Sequence, residues 1–367
     1  MLLALARQDV GQETSRACRL SPKPGSGGEP SSSPFAYNPS VLARAAAALD
    51  RAAFKPASLP NDLIIGIALA PPVIAGLIIF KVPALEMLVV AFALGAAGQI
   101  AAYVMLHEHA PHTQASPLIA AMIGVALVGA GAPLTSSVEI AALAVVLELL
   151  RARFAPAIRA QAGLLAVAGV ALIARGAPFA YINPASGKSF GDPISVWYHF
   201  FSPTSAPIDP IRLYVGNVPG PIFATSLLAV AIGAAWFAYA RRVSLVVLIT
   251  FLLGALLSIY SFHWDYLFQL DSAPMWFVAA FVLSDRRLLP DSWAIRPVIG
   301  FAAGVLSVGL RRSGHGVEAS YYVVAGVQAV TAAFVLVFWA GSLTSERLKR
   351  NRRLRQREAH LRVVKSA

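Results

Sequence analysis

The chain has 367 residues, of which 57% are hydrophobic and 13% are charged, and it carries a formal net charge of +12. Soluble domains are usually about 45–50% apolar and about 25% charged, so this composition excludes an ordinary soluble enzyme and indicates an integral membrane protein. The single cysteine, Cys18, excludes an internal disulfide.

The N-terminal part of the chain is polar. Residues 1–37 are rich in Ser, Pro and Gly and contain too little apolar surface to form a core, so we expect a disordered leader. Residues 38–60 begin with the candidate caps Asn38 and Ser40 and predict a short amphipathic helix followed by a linker. This helix is compatible with a position in the membrane interface and with packing on a helical bundle.

Residues 61–341 contain ten predominantly apolar segments, most of them near the roughly 20 residues that a membrane span requires. The predicted spans are residues 62–80, 83–106, 116–134, 137–150, 162–181, 220–240, 243–262, 267–284, 295–310 and 321–341. They predict an all-α membrane domain of ten transmembrane helices. Five spans followed by five have opposite orientations, which predicts two inverted five-helix repeats.

Basic residues predict the orientation of these spans. Residues 342–367 form a strongly basic tail, and such a tail beside a span is typically cytoplasmic and contacts anionic lipid. No nucleic-acid-binding motif accompanies it, so we expect no nucleic-acid partner. An even number of spans then places both termini in the cytoplasm, together with Arg151, Arg241 and Arg286.

Two arginines depart from this pattern. Arg311 and Arg312 follow the ninth span and fall on the outer face. Because basic residues are scarce on that side, they need either a partner such as Glu318 or a functional reason.

Several stretches carry a resemblance to a known family. They are "SLPNDLIIGIALAPPVIAGLIIF", "YVGNVPGPIFATSLLAVAIG", "LFQLDSAPMWFVAAFVLSD" and "IGFAAGVLSVGLRRSGHGVEASYYVVAG". In order and spacing they resemble the RnfD/NqrB family, the flavin-carrying membrane subunit of Rnf and Nqr respiratory complexes, from about Ser58 to Phe338. The resemblance implies FMN as cofactor, with riboflavin as the alternative flavin. It also implies a bacterial inner membrane and other membrane subunits of a redox complex as partners.

The same resemblance implies a flavin site in the outer loop after span five. The family has Asp-x-x-Ser/Thr-Gly-Ala-Thr there, and its last hydroxyl is esterified to FMN phosphate by a separate flavin transferase. In this sequence Ser186 and Gly187 match, and Ser189 keeps a hydroxyl, whereas Asn183 and Lys188 depart from the motif. Ser186, Gly187 and Ser189 are thus the implied cofactor-binding residues, and a plain polar turn is the alternative.

A second family motif, Gly-Ser-x-Gly-Glu-Thr-Ser, corresponds to "GPIFATS" at residues 220–226, where Ala224 replaces the acidic residue. The resemblance implies that Gly216, Gly220 and Thr225 shape the helix entry beside the flavin. A helix-capping or backbone-bonding hydroxyl is the alternative for Thr225.

Other polar clusters leave two interpretations open. "HEHAPH", with His107, Glu108, His109 and His112, has good metal-ligand types. His107 and His109 are two residues apart and cannot share one helix face, so ordinary loop histidines are the favoured interpretation and metal binding is the alternative.

Acidic residues within spans are candidates for ion handling or for salt bridges. In this sequence they are Asp271, Glu139 and Glu148.

Trp197 and Tyr198 lie in the outer loop after span five. They suit either an aromatic belt at the membrane interface or stacking on a flavin.

The resulting functional prediction is an electron-transfer subunit that binds flavin on its outer face and couples electron flow to Na⁺ or H⁺ movement. The protein would position the flavin, which supplies the redox chemistry. Because fold does not fix function, two alternatives remain. One is a relative without flavin that acts as a transporter-like or scaffolding protein, and the other is an accessory redox protein of a biosynthetic pathway.

Overall fold

A computed structural model describes residues 59–106, 116–194, 210–290 and 292–337, and most of them are helical. Within those ranges the chain forms isolated backbone bridges but no strand, which confirms the all-α prediction. Several predicted features lie outside the described residues: the leader 1–37, residues 38–58 of the predicted interfacial helix, the histidines of "HEHAPH", Trp197 and Tyr198, and the basic tail 342–367.

The described residues of the first half of the membrane domain form five α-helices. They are α1 (Asn61–Phe80), α2 (Val82–Leu106), α3 (Pro117–Ala126), α4 (Leu134–Phe154) and α5 (Ala162–Ile173). Most of these helices carry apolar residues on all of their faces, as expected of helices that contact either lipid or other helices. Pro71 and Pro72 lie inside α1, which membrane helices tolerate.

The described residues of the second half form seven α-helices. They are α6 (Pro210–Val215), α7 (Leu227–Tyr239), α8 (Leu245–Phe262), α9 (Tyr266–Leu270), α10 (Ala273–Val278), α11 (Ile295–Arg311) and α12 (Ala319–Val337). A π-helical turn, Ala279–Leu283, continues α10.

Four of the helices, α1, α2, α8 and α12, are long and apolar enough to cross a membrane. The chain is therefore an all-helical integral membrane protein, as its composition predicts. In the third, fifth, sixth and eighth predicted spans, α-helix covers only part of the segment. Such segments are tolerated where protein encloses them and satisfies their backbone groups.

Small residues let helices approach closely. A Cβ atom on Gly254 of α8 would overlap the carbonyl oxygen of Phe301, and one on Gly304 of α11 would overlap that of Phe251. The backbones of α8 and α11 are thus in direct contact, in the way that small residues promote in membrane helices.

Loops from both halves of the chain meet at one end of the bundle, which we call the arginine-rich end. Asp285, which follows α10, forms ion pairs of 3.3 Å with Arg242 and with Arg287. Arg242 also donates to the side chain of Asn61 at the start of α1. Basic residues of this end include Arg151, Arg159, Arg242, Arg286 and Arg287.

Loops and short helical turns form the opposite end, which comprises residues 127–133, 177–194, 216–226, 263–272 and 312–318. Main-chain hydrogen bonds join the first three of them. Their N–H···O distances are 2.8 Å from Ile222 to Val128, 2.8 Å from Gly129 to Pro178 and 3.0 Å from Gly131 to Ala180. These bonds satisfy backbone groups that no helix satisfies.

Candidate functional site

Residues 182–189 form a compact turn at the opposite end. The amide of Asn183 donates to the carbonyl oxygen of Lys188 at 2.9 Å, and the amide of Gly187 donates to that of Asn183 at 2.8 Å. The side-chain oxygen of Asn183 accepts from the amide of Ala185 at 3.0 Å. Gly187 has a φ of 66°, a left-handed conformation that glycine adopts at little cost. Asparagine and glycine therefore fix the shape of the turn.

The tip of this turn is open to the surroundings. Ser186, Gly187, Lys188 and Ser189 are all exposed, and the Ser186 hydroxyl accepts from the amide of Lys188 at 3.4 Å. Two hydroxyls and one ammonium group are thus accessible within four residues. This arrangement fits the attachment of a phosphate group, since the cationic Lys188 favours the approach of an anion.

The other implied site residues lie together at the entry to α7. Gly216 has a φ of 90°, and a Cβ atom on it would lie 2.6 Å from the amide nitrogen of Ser226. A Cβ atom on Gly220 would overlap the methyl group of Thr225. The helix cap is Ser226, whose hydroxyl accepts from the amide of Ala229 at 3.3 Å, rather than Thr225.

Gly220 and Thr225 line a small cavity, whereas Ser186, Gly187 and Ser189 do not. Its volume is about 20 Å³. That volume holds about one water molecule, far less than the roughly 300 Å³ or more of a ligand pocket. A flavin ring therefore does not fit inside this cavity, and a flavin attached to the turn would lie on the exposed surface.

An apolar cluster connects the turn with the cavity. Tyr181, at the base of the turn, packs in one buried cluster with Ile194, Leu213, Val218, Phe268 and Val317. All of these except Tyr181 also line the cavity. The structure thus places the two implied motifs on either side of one cluster.

Arg311 was singled out by sequence only as an exception, and the structure explains its position. It is 1% exposed. One guanidinium nitrogen donates to the carbonyl and side-chain oxygens of Gln269 at 3.1 and 2.7 Å, and another donates to the Ser272 hydroxyl at 3.2 Å. The expected partner, Glu318, instead accepts from the amide of Gly316 at 3.0 Å. Arg311 therefore joins α11 to the segment between α9 and α10.

Buried polar groups surround this arginine. Burial raises the pKa of Glu318 above its ordinary value, and the neighbouring carboxylate of Asp192 adds to this effect. The hydroxyls of Tyr181 and Tyr321 are buried and have no hydrogen-bond partner within the described part of the chain. Beyond the expected closeness of Arg311 and Glu318, local sequence patterns do not predict this cluster, because its members come from segments far apart in the chain.

The acidic candidates for ion handling lie in different environments. Glu148 forms an ion pair of 2.7 Å with Arg151 and accepts from the amide of Ser116 at 3.1 Å. Glu139 is exposed on α4, and Asp271 lines the small cavity at the opposite end. The structure therefore does not bring these three carboxylates together.

Comparison with known proteins identifies one family. Residues 61–334 match the NQR2, RnfD, RnfE family, which is most of the chain and nearly all of its helical part. No curated protein matches the chain significantly.

Proposed function

Because the chain belongs to the NQR2, RnfD, RnfE family, we propose that it is the flavin-carrying membrane subunit of an Rnf- or Nqr-type electron transport complex in a bacterial inner membrane. It would pass electrons between neighbouring redox subunits and couple their flow to Na⁺ or H⁺ movement. The single observation that carries the flavin assignment is the exposed turn with Ser186 and Ser189, which lies opposite the arginine-rich end of the bundle.

The proposed topology has ten spans with both termini in the cytoplasm. Each of the ten predicted intervals contains a described helix. The arginines of the loops predicted to be cytoplasmic meet at one end, and the turn lies at the other. The short helices α3 and α10 lie in the third and the eighth predicted spans, which are the middle spans of the two sets of five. Two inverted repeats would have such matching positions.

The attachment step requires an exposed hydroxyl and an external donor. The Ser189 oxygen would bond to the flavin-side phosphorus of a flavin dinucleotide while its pyrophosphate bond breaks. The nucleoside monophosphate leaves, and the hydroxyl proton passes to solvent, so nothing is oxidised or reduced. The attached flavin would supply the redox chemistry. The left-handed conformation of Gly187 shapes the turn, and Lys188 would place a positive charge near the phosphate group.

Asn183 weakens one part of this assignment. Its side chain holds the turn together through the amide of Ala185, which an aspartate can also do. However, Asn183 lacks the negative charge that holds a divalent cation firmly. If the transferase step uses such a cation, Asn183→Asp will therefore increase flavin attachment without changing the turn.

Co-expression with a flavin transferase tests the proposal. After denaturing electrophoresis, we expect a fluorescent band from the wild type, no fluorescence from Ser189→Ala, and retained fluorescence from Ser186→Ala, the matched control in the same turn. A wild-type band and an Asn183→Asp band that are both dark would rule out covalent flavin. A fluorescent Ser189→Ala band would move the attachment to another hydroxyl.

A subunit without flavin is the second candidate function. It is favoured by the 20 Å³ cavity beside Thr225, which cannot enclose a flavin ring, and by the loss of acidic residues at Asn183 and Ala224. Such a protein would scaffold the complex or act as a transporter. In that case the band stays dark, while the intact chain still co-purifies with other membrane subunits.

A further inference from the structure

Glu139 is an exposed carboxyl residue on a mostly apolar side of α4. Val146 and Leu150, seven and eleven residues further along, share this side of the helix and are 49% and 48% exposed. The side chain of Glu139 has no hydrogen bond or ion pair with any residue that the structure describes. An acidic group thus lies among apolar side chains on the outside of the bundle.

The depth of Glu139 in the membrane follows from the contact between α4 and α2. Both helices run from the opposite end toward the arginine-rich end, and α2 is long and apolar enough to cross a membrane. Gly98 of α2 lies against α4, since a Cβ atom on it would lie 2.5 Å from the side chain of Val145. Glu139 precedes Val145 by six residues, or about 9 Å, which corresponds to the position of Phe92 on α2. That position is ten residues, or about 15 Å, from Val82 at the start of this span.

The surroundings at this depth are apolar. Val89 and Phe92 of α2 are 57% and 58% exposed. Exposed side chains at this depth contact lipid or a partner protein, because the hydrocarbon region contains no water. Ionisable residues in membrane spans are costly and almost always pair with another group. Glu139 therefore needs a partner that the described part of the chain does not supply.

The other carboxylate of α4 shows how the chain itself meets this requirement. Glu148, nine residues further along, is buried at the arginine-rich end. It forms an ion pair of 2.7 Å with Arg151 and accepts from the amide of Ser116 at 3.1 Å. Glu148 is thus satisfied within the chain, whereas Glu139 faces outward.

We propose that this side of α4, around Glu139, binds a neighbouring membrane subunit whose transmembrane helix supplies a Lys or Arg side chain to the Glu139 carboxylate. The proposal rests on the proposed function only in that it requires a complex of several membrane subunits. Opposite charges attract strongly in hydrocarbon, because the dielectric constant is low. Val146 and Leu150 would pack against the partner helix beside this ion pair.

A second copy of this chain fits the site less well. Among the described residues, the exposed Lys and Arg side chains lie in loops, at helix ends or in the short helix α6, as Lys81, Arg153 and Arg212 do. None of them lies inside a long span at the depth of Glu139. A cation at that depth is therefore expected from a different protein.

Site-specific photo-cross-linking in native membranes tests this surface. The full chain carries p-benzoylphenylalanine in place of Val146 and is expressed together with the other subunits of its complex. Leu257 on α8 is the matched control position, because it is 53% exposed on a different helix. We expect position 146, but not position 257, to cross-link to a transmembrane segment that contains a Lys or Arg. Mass spectrometry of the cross-linked peptides identifies that segment.

The charge is tested in the same membranes. We expect Glu139→Gln to lower the amount of this subunit that co-purifies in mild detergent by at least about threefold, because the partner's charge is left unpaired. Glu86→Gln, at an exposed position near the start of α2, should leave that amount unchanged. Glu139→Lys combined with Glu in place of the partner's Lys or Arg should restore co-purification.

The proposal is wrong if position 146 cross-links to no other membrane subunit, or only to lipid or to a second copy of this chain. It is also wrong if the cross-linked segment has no Lys or Arg, or if Glu139→Gln retains as much partner as the wild type. The cross-linking keeps Glu139 intact, so it remains decisive if a Glu139 variant does not fold.

The outcome for this surface can be told apart from that for the proposed function. A subunit that co-purifies but cross-links elsewhere overturns only the surface around Glu139. A chain that co-purifies with no membrane subunit contradicts the proposed complex as well. The fluorescence of the flavin band is independent of both results.

Discussion

Different kinds of contact hold the loops together at the two ends of the helical bundle. At the arginine-rich end, the ion pairs of Asp285 with Arg242 and Arg287 add to main-chain hydrogen bonds between the same loops, such as that of 2.9 Å from the amide of Arg286 to the carbonyl oxygen of Arg242. At the opposite end, main-chain hydrogen bonds connect them, as between Ile222 and Val128. A main-chain bond depends little on side-chain identity, whereas an ion pair depends on it entirely. The opposite end can therefore lose motif residues, such as the acidic residue replaced by Ala224, and keep its shape.

Arg311 is the exception to this contrast, because its side chain connects segments at the opposite end. We expect its removal to lower the stability of the protein more than any other substitution considered. Arg311→Met removes the donors to Gln269 and Ser272 and leaves buried carboxylates without a nearby cation. We expect the free energy of unfolding to fall by about 3–5 kcal/mol, measured by SDS titration in mixed micelles.

The matched control is the adjacent Arg312, which is exposed and lies 5.1 Å from the ring centroid of Phe262. Arg312→Met should cost less than about 1 kcal/mol. Equal effects of the two substitutions would contradict the role assigned to Arg311.

At the arginine-rich end, Asp285→Asn tests how far side chains hold the loops together. The substitution removes the charge that two arginines share but keeps the size of the side chain. We expect a loss of about 2–3 kcal/mol in the same titration. Glu86→Gln, at an exposed position on α2, is the control and should change stability by less than about 0.5 kcal/mol. If Asp285→Asn costs no more than the control, the contrast between the two ends is wrong.

The smallest expected effect is that of Gly129→Ala, which tests the main-chain contacts of the opposite end. A Cβ atom on Gly129 would overlap the carbonyl oxygen of Ala180, so the two segments must separate. We expect a loss of about 1–3 kcal/mol. Gly66→Ala is the control, because a Cβ atom on that helical glycine meets no other group. Alanine should be neutral or stabilising there, and a similar loss at both positions would show that close approach is not the cause.

Hydropathy alone predicts where the helices lie, because the apolar runs are long and separated by polar residues. It fails at the helix ends. The fourth span was predicted as residues 137–150, whereas α4 covers Leu134–Phe154. The charges of Glu148 and Arg151 interrupt the apolar pattern, but in the structure they pair with each other and the helix continues.

The break between α9 and α10 was also missed. Residues 267–284 predict one span, yet the helix is interrupted at Asp271 and Ser272. An interruption of this kind depends on partners elsewhere in the chain, here Arg311, whose side chain bonds to Ser272. A hydropathy window contains no information about such a partner.

The candidate site was predicted only in part. The polar composition around Gly187 predicted a turn, and the structure has one. The position of Gly220 beside Thr225 followed from their closeness in sequence. A cavity of about 460 Å³ at the arginine-rich end, lined by Arg159 and Arg287 among others, was not predicted, because these residues come from loops more than 100 residues apart, a distance at which local patterns carry no signal.

The backbone contact between α8 and α11 has a mechanical consequence. With Gly254 and Gly304 each pressed against a carbonyl group of the other helix, neither helix can slide or turn without a steric clash. We expect the pair to move as one rigid body. A conformational change of the bundle would thus be confined to the borders of this pair with other helices, and spin labels on α8 and α11 should keep a constant separation during it.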